Sequence, residues 1–159
     1  MRTLSALLIS VLLFGCVTRT EFGRRRLGKR GQIPIDSRVY RIVDTTKLYE
    51  ILSAVEIPGA KPLTSVNKSY LKFYANGRVG TFYDDQSLDP KRAEIGYYRF
   101  DGKAVVMRTF FEHPQGGGWI NNQVISFKGD TLAVTSQNIL CKYRPLPIPV
   151  EKMNYTPDW

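Results

Sequence analysis

The sequence predicts an all-β domain, namely an eight-stranded antiparallel up-and-down barrel with one short helix. Alternating apolar and polar runs follow one another from residue 69 onward, and turn dipeptides separate them at short intervals. A long antiparallel sheet tends to curl and close, and eight strands enclose either packed side chains or one small ligand. The predicted strands span 38–43, 69–75, 78–84, 94–100, 103–112, 118–128, 131–136 and 139–144.

The first hairpin is predicted around Asn76-Gly77, because this dipeptide accepts the positive φ angles of a two-residue turn. That turn would set Leu71 opposite Phe82 and Phe73 opposite Gly80. Two further hairpins are predicted around Asp101-Gly102, with Tyr98 opposite Val105, and around Gly129-Asp130. The residues expected to face the core, or a ligand inside the barrel, are Leu71, Phe73, Phe82, Ile125, Phe127, Leu132 and Val134.

A short helix is predicted over residues 45–55, between the first strand and the first hairpin. Leu48, Ile51, Leu52 and Val55 recur at helical spacing after Asp44-Thr45, a plausible N-cap pair. A Pro-rich tail is predicted over 145–159 and is expected to run extended along the surface.

The N-terminus predicts export. Arg2 precedes an apolar run over residues 4–14, which is typical of a signal peptide and shorter than the roughly 20 residues that span a membrane. The segment Leu13-Phe14-Gly15-Cys16 resembles the lipobox of bacterial lipoproteins. The resemblance implies that residues 1–15 are a signal peptide that is removed, and that the mature chain starts with a lipidated Cys16, carrying palmitate or a similar acyl chain.

A basic segment follows the predicted anchor. Residues 17–30 hold six basic side chains and one acidic, whereas residues 31–159 hold 16 basic and 13 acidic. Interleaved glycines without an apolar period predict a flexible tether over residues 16–37. The cations expected to contact the membrane surface are Arg24, Arg25, Arg26, Lys29 and Arg30. A solvated linker and contact with an anionic cell-wall polymer are the alternatives, and no nucleic-acid partner is expected for an exported chain.

Residues 38–144 resemble the lipocalin-like, calycin-type barrels of bacterial lipoproteins, through the strand pattern and the Lys72–Gly77 hairpin. The resemblance implies a β-barrel domain in the bacterial cell envelope. Val17 stands where an acidic residue would follow the lipidated cysteine. In this family that implies sorting to the outer membrane, with the domain facing the periplasm.

Catalytic and metal-binding patterns are weak. Glu112 and His113 precede three glycines and would be the acid/base pair of an enzyme, but neighbouring strand residues face opposite sides and a hairpin loop explains the pattern. Asp84-Asp85 and Asp89 lack the spacing of a calcium loop. Cys141 is expected to be a buried small hydrophobe. The sequence therefore predicts no catalytic residue, no metal and no cofactor.

Several strands carry aromatic residues on both faces. Tyr70, Tyr74 and Tyr83 alternate with apolar residues that face the predicted core. This pattern predicts either a ligand cavity or an outer surface that the helix, the tail or a partner covers, although strands also favour tyrosine intrinsically.

Three functional hypotheses follow. The first is a non-catalytic, membrane-anchored lipoprotein that binds a small, largely apolar ligand inside the barrel. The second is a structural or adaptor lipoprotein with a filled barrel that docks to an envelope protein complex. The third, ranked last, is an enzyme that uses Glu112 and His113. The first two differ in whether the barrel interior is hollow or filled.

Overall fold

A computed structural model describes residue 20 and residues 35–59, 61–83, 88–115, 117–128, 131–149 and 155–159, with the backbone alone described for Gln123 and residues 125–128. Within these residues, nine strands form one sheet. Their bounds are β1 Lys47–Glu56, β2 Lys61–Pro62, β3 Tyr70–Phe73, β4 Arg78–Phe82, β5 Glu94–Phe100, β6 Val105–Phe111, β7 Gly118–Lys128, β8 Thr131–Ser136 and β9 Ile139–Pro147. None of the described segments is an apolar helix of membrane-crossing length.

The sheet closes into an eight-stranded antiparallel barrel because β1 pairs with both β3 and β9. From β3 to β9 each strand pairs with the next one in sequence, as an up-and-down barrel requires. The two-residue β2 pairs with the last residues of β1 and lies outside the closed ring. The predicted fold class is confirmed, and the predicted strands 94–100, 118–128 and 131–136 match β5, β7 and β8. We call the end at which β1 begins the lower end.

A 3-10 turn over Ser37–Arg41 occupies the place of the predicted strand 38–43, so that prediction is wrong. The Asp36 carboxylate accepts a hydrogen bond from the Arg38 N–H at 2.9 Å, which stabilises the first residues as a turn. Val39 is fully buried and packs against the side chains that fill the barrel. The turn therefore covers the lower end.

Strand β1 occupies the place of the predicted helix over 45–55, so that prediction is wrong as well. Leu48 and Tyr49 are both buried, because the strand is covered on its outer as well as its inner face. A bulge between Ile51 and Ser53 then shifts the alternation by one residue. Burial on both faces, combined with the bulge, produces apolar spacing that imitates a helix.

The first hairpin has a three-residue loop, 75–77, instead of the predicted two-residue turn. Gly77 has a φ of 79°, as expected for a type I turn followed by one left-handed residue. The additional loop residue moves the register by one, so Tyr70 pairs with Phe82, and Phe73 pairs with Val79. Because an odd shift exchanges the two faces of a strand, Phe82 lies on the outer face of the barrel, which we call the outer wall, and not inside the barrel as predicted. It is nevertheless buried there, in a second apolar cluster.

The second hairpin has a four-residue loop, 101–104, closed by hydrogen bonds from two loop N–H groups to the Asp101 carboxylate, each 2.9 Å long. Tyr98 therefore pairs with Met107, and not with Val105 as predicted. This shift of two residues leaves the predicted faces unchanged.

The barrel interior contains what we call the interior cluster, to which all eight strands contribute. Phe73 lies in its lower half, fully buried, with the rings of Tyr49 and Tyr98 edge-on at 5.6 and 5.1 Å. Such pairs contribute about 0.5–1.5 kcal/mol each beyond the burial of their area. The members are Val39, Val43, Tyr49, Leu71, Phe73, Val79, Tyr98, Val105, Met107, Val124, Leu132, Val134 and Tyr143.

Strand β9 continues past the predicted end at residue 144, into the segment predicted as a Pro-rich tail. Pro145 and Pro147 pair with Tyr49 and Lys47 at the lower end of β1. Proline lacks the N–H of a sheet hydrogen bond and is tolerated at a strand end. The barrel domain therefore extends three residues beyond its predicted boundary, to Pro147.

The residues 155–159 cover part of the outer wall. Trp159 is 1% exposed, its ring lies 5.9 Å from that of Tyr74, and its indole N–H donates to the Gly96 carbonyl at 3.3 Å. The Asn76 amide donates to the Pro157 carbonyl at 2.7 Å. These contacts explain the aromatic residues on both faces of the first hairpin, since one face is interior and this tail covers part of the other.

Trp159→Ala should lower the free energy of unfolding by about 3–5 kcal/mol, because it empties a fully buried site between the tail and the wall. The matched control is Trp119→Ala, since Trp119 is 37% exposed and should cost clearly less. Urea denaturation followed by far-UV circular dichroism measures both. Equal losses for the two variants would contradict the packing of the tail.

Candidate functional site

Four of the seven predicted core residues belong to the interior cluster, namely Leu71, Phe73, Leu132 and Val134. Phe82 instead packs on the outer wall with Leu48, Tyr70, Ala93 and Ile148. The side chains of Ile125 and Phe127 lie outside the described residues. A bulge in β7 brings Val124 opposite Val134, where the predicted alternation had placed Ile125.

The upper end of the interior, where β6 ends and β7 begins, contains polar side chains. The Asn122 amide nitrogen donates to the Thr109 hydroxyl at 3.3 Å, and Thr109 is almost fully buried. The Asn122 Oδ1 atom is buried and has no hydrogen-bond partner among the described residues. A buried acceptor without a partner costs about 1–3 kcal/mol, so a bound hydrogen-bond donor would be stabilised at this point.

The described residues line two grooves on the outer wall. The first, which we call the arginine groove, has a volume of about 460 Å³ and crosses β5 to β8. Its lining includes Tyr97, Arg99, Asp101, Arg108, Asn121 and Thr135. The second, the lysine groove, has a volume of about 490 Å³ and lies between β3, the turn before β1 and the tail. Its lining includes Thr45, Lys72, Tyr74, Asn76, Ile148 and Tyr155.

Each groove is built around a cation that rests on an aromatic ring. In the arginine groove the Arg108 guanidinium donates from Nη1 to the Tyr97 hydroxyl at 3.0 Å. In the lysine groove the Lys72 Nζ donates to the Thr45 carbonyl and lies 5.4 Å from the Tyr74 ring centroid. Neither cation forms an ion pair in the part of the chain that the structure describes. Both grooves therefore offer an unneutralised positive charge to a ligand.

Burial changes the protonation of Lys72. Its side chain is 7% exposed, and this desolvation lowers its pKa from 10.5 to about 8, against the opposing attraction of the Asp44 carboxylate. A substantial fraction of this amine is therefore neutral in mildly alkaline solution. In the neutral state the amine can accept a hydrogen bond or attack a carbonyl carbon.

Neither cation was singled out by the sequence. The sequence does contain an indication for Lys72, because Tyr70 and Tyr74 lie two residues to either side and share its strand face. Arg108 has no local signal, since Tyr97 and Trp119 come next to it only through the pairing of β5, β6 and β7.

The other residues considered as sites lie in a loop, in the barrel or outside the described residues. Glu112 and His113 are exposed in the β6–β7 loop, where the His113 Nδ1 accepts from the Gln115 N–H at 3.2 Å. No cluster of metal-binding side chains occurs among the described residues. Cys141 is half-buried with a free thiol. Cys16, Asp84-Asp85 and the cations of residues 24–30 are outside the described ranges.

Comparisons of this chain with protein-family models, with curated proteins and with solved structures gave no match.

The burial of Lys72 makes stability depend on pH. Its folded-state pKa of about 8 lies below the unfolded value, so the unfolded chain binds more protons from pH 8 to 10.5 and stability rises with pH across that window. The free energy of unfolding, relative to that of Lys72→Met, should rise by about 2–4 kcal/mol between pH 7 and 10.5. Urea denaturation at a series of pH values measures this difference. A difference that does not change with pH would contradict the burial of Lys72.

Proposed function

We propose that this chain is a membrane-anchored lipoprotein of the bacterial cell envelope, non-catalytic, with a filled barrel that presents its outer wall to a partner. The lipobox-like segment Leu13-Phe14-Gly15-Cys16 supports the anchor, and the basic residues 17–30 support contact with an anionic membrane surface. The eight-stranded antiparallel barrel is compatible with a lipocalin-like fold, as the resemblance implied. Val17 favours the outer membrane and a domain that faces the periplasm.

The packed interior is the observation that carries the scaffold role. Side chains from all eight strands meet in one cluster, and Tyr49, Phe73 and Tyr98 are in edge contact across its lower half. A small ligand at this position would have to displace aromatic groups that are already buried against one another. This favours the filled scaffold over the apolar-ligand carrier.

The outer wall offers the features that a partner needs. It has two grooves, each with an unneutralised cation beside an aromatic ring. Aromatic and arginine side chains are enriched where proteins bind partners, and complementary charge steers the encounter. We therefore assign partner binding to this wall, with a protein complex of the envelope as one class of partner.

Lipidation is tested first. Cys16→Ser should abolish the mass increase of an acyl anchor and leave the signal peptide uncut. Intact-protein mass spectrometry of the membrane and soluble fractions measures both. Cys141→Ser is the matched control, since this thiol belongs to the barrel and should leave anchoring unchanged. A wild-type chain that carries no acyl mass would refute the anchor.

A ligand inside the barrel is the second candidate, favoured by the buried Asn122 Oδ1 atom that lacks a partner. Such a ligand would be mainly apolar and would donate one hydrogen bond at the upper end of the interior. The apolar residues proposed to face it remain Leu71, Phe73, Leu132 and Val134.

Native mass spectrometry of protein purified gently from its host distinguishes the two candidates. The filled scaffold should give the mass of the lipidated protein alone. A ligand would add a mass on the order of a few hundred daltons, lost on denaturation. Asn122→Leu should remove that added mass, whereas Asn121→Leu, which changes the neighbouring exposed side chain, should retain it.

A further inference from the structure

Arg108 is a cation that lies against a pair of contacting aromatic rings on the outer wall. Its guanidinium carbon lies 6.0 Å from the ring centroid of Tyr97 and 5.2 Å from that of Trp119. The two ring centroids are 5.6 Å apart, and Trp119 is also in edge contact with Phe110 at 5.3 Å. The position of the guanidinium is therefore fixed before any ligand arrives, which lowers the entropic cost of binding.

No counter-ion neutralises Arg108 within the described residues. Its only hydrogen bond there goes to the Tyr97 hydroxyl, and its Nε atom is buried without a partner. Asp101, the acidic residue that lines the groove, is hydrogen-bonded to the N–H groups of Lys103 and Ala104. A guanidinium has five donors in a fork that matches a carboxylate, so an anion in the groove would satisfy donors that the protein leaves open.

The rest of the groove is polar and open. Asn121, Thr135 and Gln137 supply amide and hydroxyl groups along its length, and Arg99 adds a second cation. Trp119 is not part of the groove lining but lies next to Arg108 and Tyr97, and it is 37% exposed, so a ligand that extends past the guanidinium meets an aromatic ring. A saccharide combines the hydroxyl groups that suit the first surface with the C–H face that suits the second.

We propose that the arginine groove binds an anionic saccharide, with the carboxylate of a uronic acid on Arg108 and an adjoining sugar ring against Trp119. The carboxylate accepts from the guanidinium, and the hydroxyls of the sugar exchange hydrogen bonds with the groove amides. An acidic peptide would satisfy the charge, and its peptide groups would pair with the groove amides, but its acidic side chains have no sugar-like C–H face for the Trp119 ring. This ligand goes beyond the proposed function, and it rests on that proposal only for the compartment in which the polymer would be met.

The experiment is calorimetric titration of the full chain with trigalacturonic acid, in a polyoxyethylene detergent that carries no sugar. The matched ligand is the methyl ester of the same trisaccharide, which keeps the sugar rings and removes the charge. The acid should bind about tenfold or more tightly than the ester, as expected for a charge-assisted hydrogen bond. Hexaglutamate, an acidic peptide, should bind more weakly than the acid.

Variants assign the binding to Arg108. Arg108→Met should weaken binding of the acid by about tenfold or more and leave the ester unaffected, whereas Arg108→Lys should lose part of the affinity because it lacks the fork. Arg41→Met, which removes an exposed arginine outside the groove, is the control and should bind as the wild type does. Far-UV circular dichroism verifies that each variant is folded.

Three results would overturn the inference: no heat of binding with the acid, equal affinity for acid and ester, or equal affinity for hexaglutamate. Unchanged binding by folded Arg108→Met would overturn the assignment to this groove. Each of these results is independent of the acyl mass at Cys16, so failure here is distinguishable from failure of the proposed anchor.

Discussion

The structure depends on the pairing of β1 with β9. Nine pairs of residues, from Lys47 with Pro147 to Glu56 with Ile139, join the first long strand to the last. Without this ladder the sheet would have two open edges and no enclosed interior. The pairing also closes a loop that contains almost all of the barrel sequence, so its entropic cost is compensated only when the interior cluster has formed. Closure and core packing are therefore coupled.

The sequence predicted those parts of the fold that local turns determine. Strands β5, β7 and β8 lie where alternation and turn dipeptides placed them, because a hairpin needs information from its own residues only. Strand β1 was missed because it is buried on both faces and contains a bulge at Ile51 and Ser53, so its apolar residues do not alternate. The first hairpin had the right position and the wrong register, since the sequence around Gly77 does not distinguish two loop residues from three.

The grooves were not predictable in the same way. The stacking of Arg108 with Tyr97 and Trp119 is a cross-strand contact, and it exists only in one register of β5, β6 and β7. The lysine groove needs the tail as well, because Tyr155 and Thr156 form one of its sides. The long-range strand pairing and the packing of residues 155–159 on the wall depend on the tertiary structure. The residue pattern within a single strand therefore does not predict them.

Some described cations of the outer wall form an ion pair and others do not, and this difference bears on the function of the grooves. Arg144 is neutralised by Glu50, with Nε and Nη2 at 2.7 and 2.6 Å from one carboxylate oxygen. Arg108 is half-buried and Lys72 is buried, neither has an ion-pair partner among the described residues, and their aromatic contacts return only about 0.5–2 kcal/mol each. An apolar side chain would serve the stability of the wall better at both positions. Arg144 thus has an ion pair and, within the described residues, Arg108 and Lys72 have none, which leaves both of these groove cations able to bind an anion from outside.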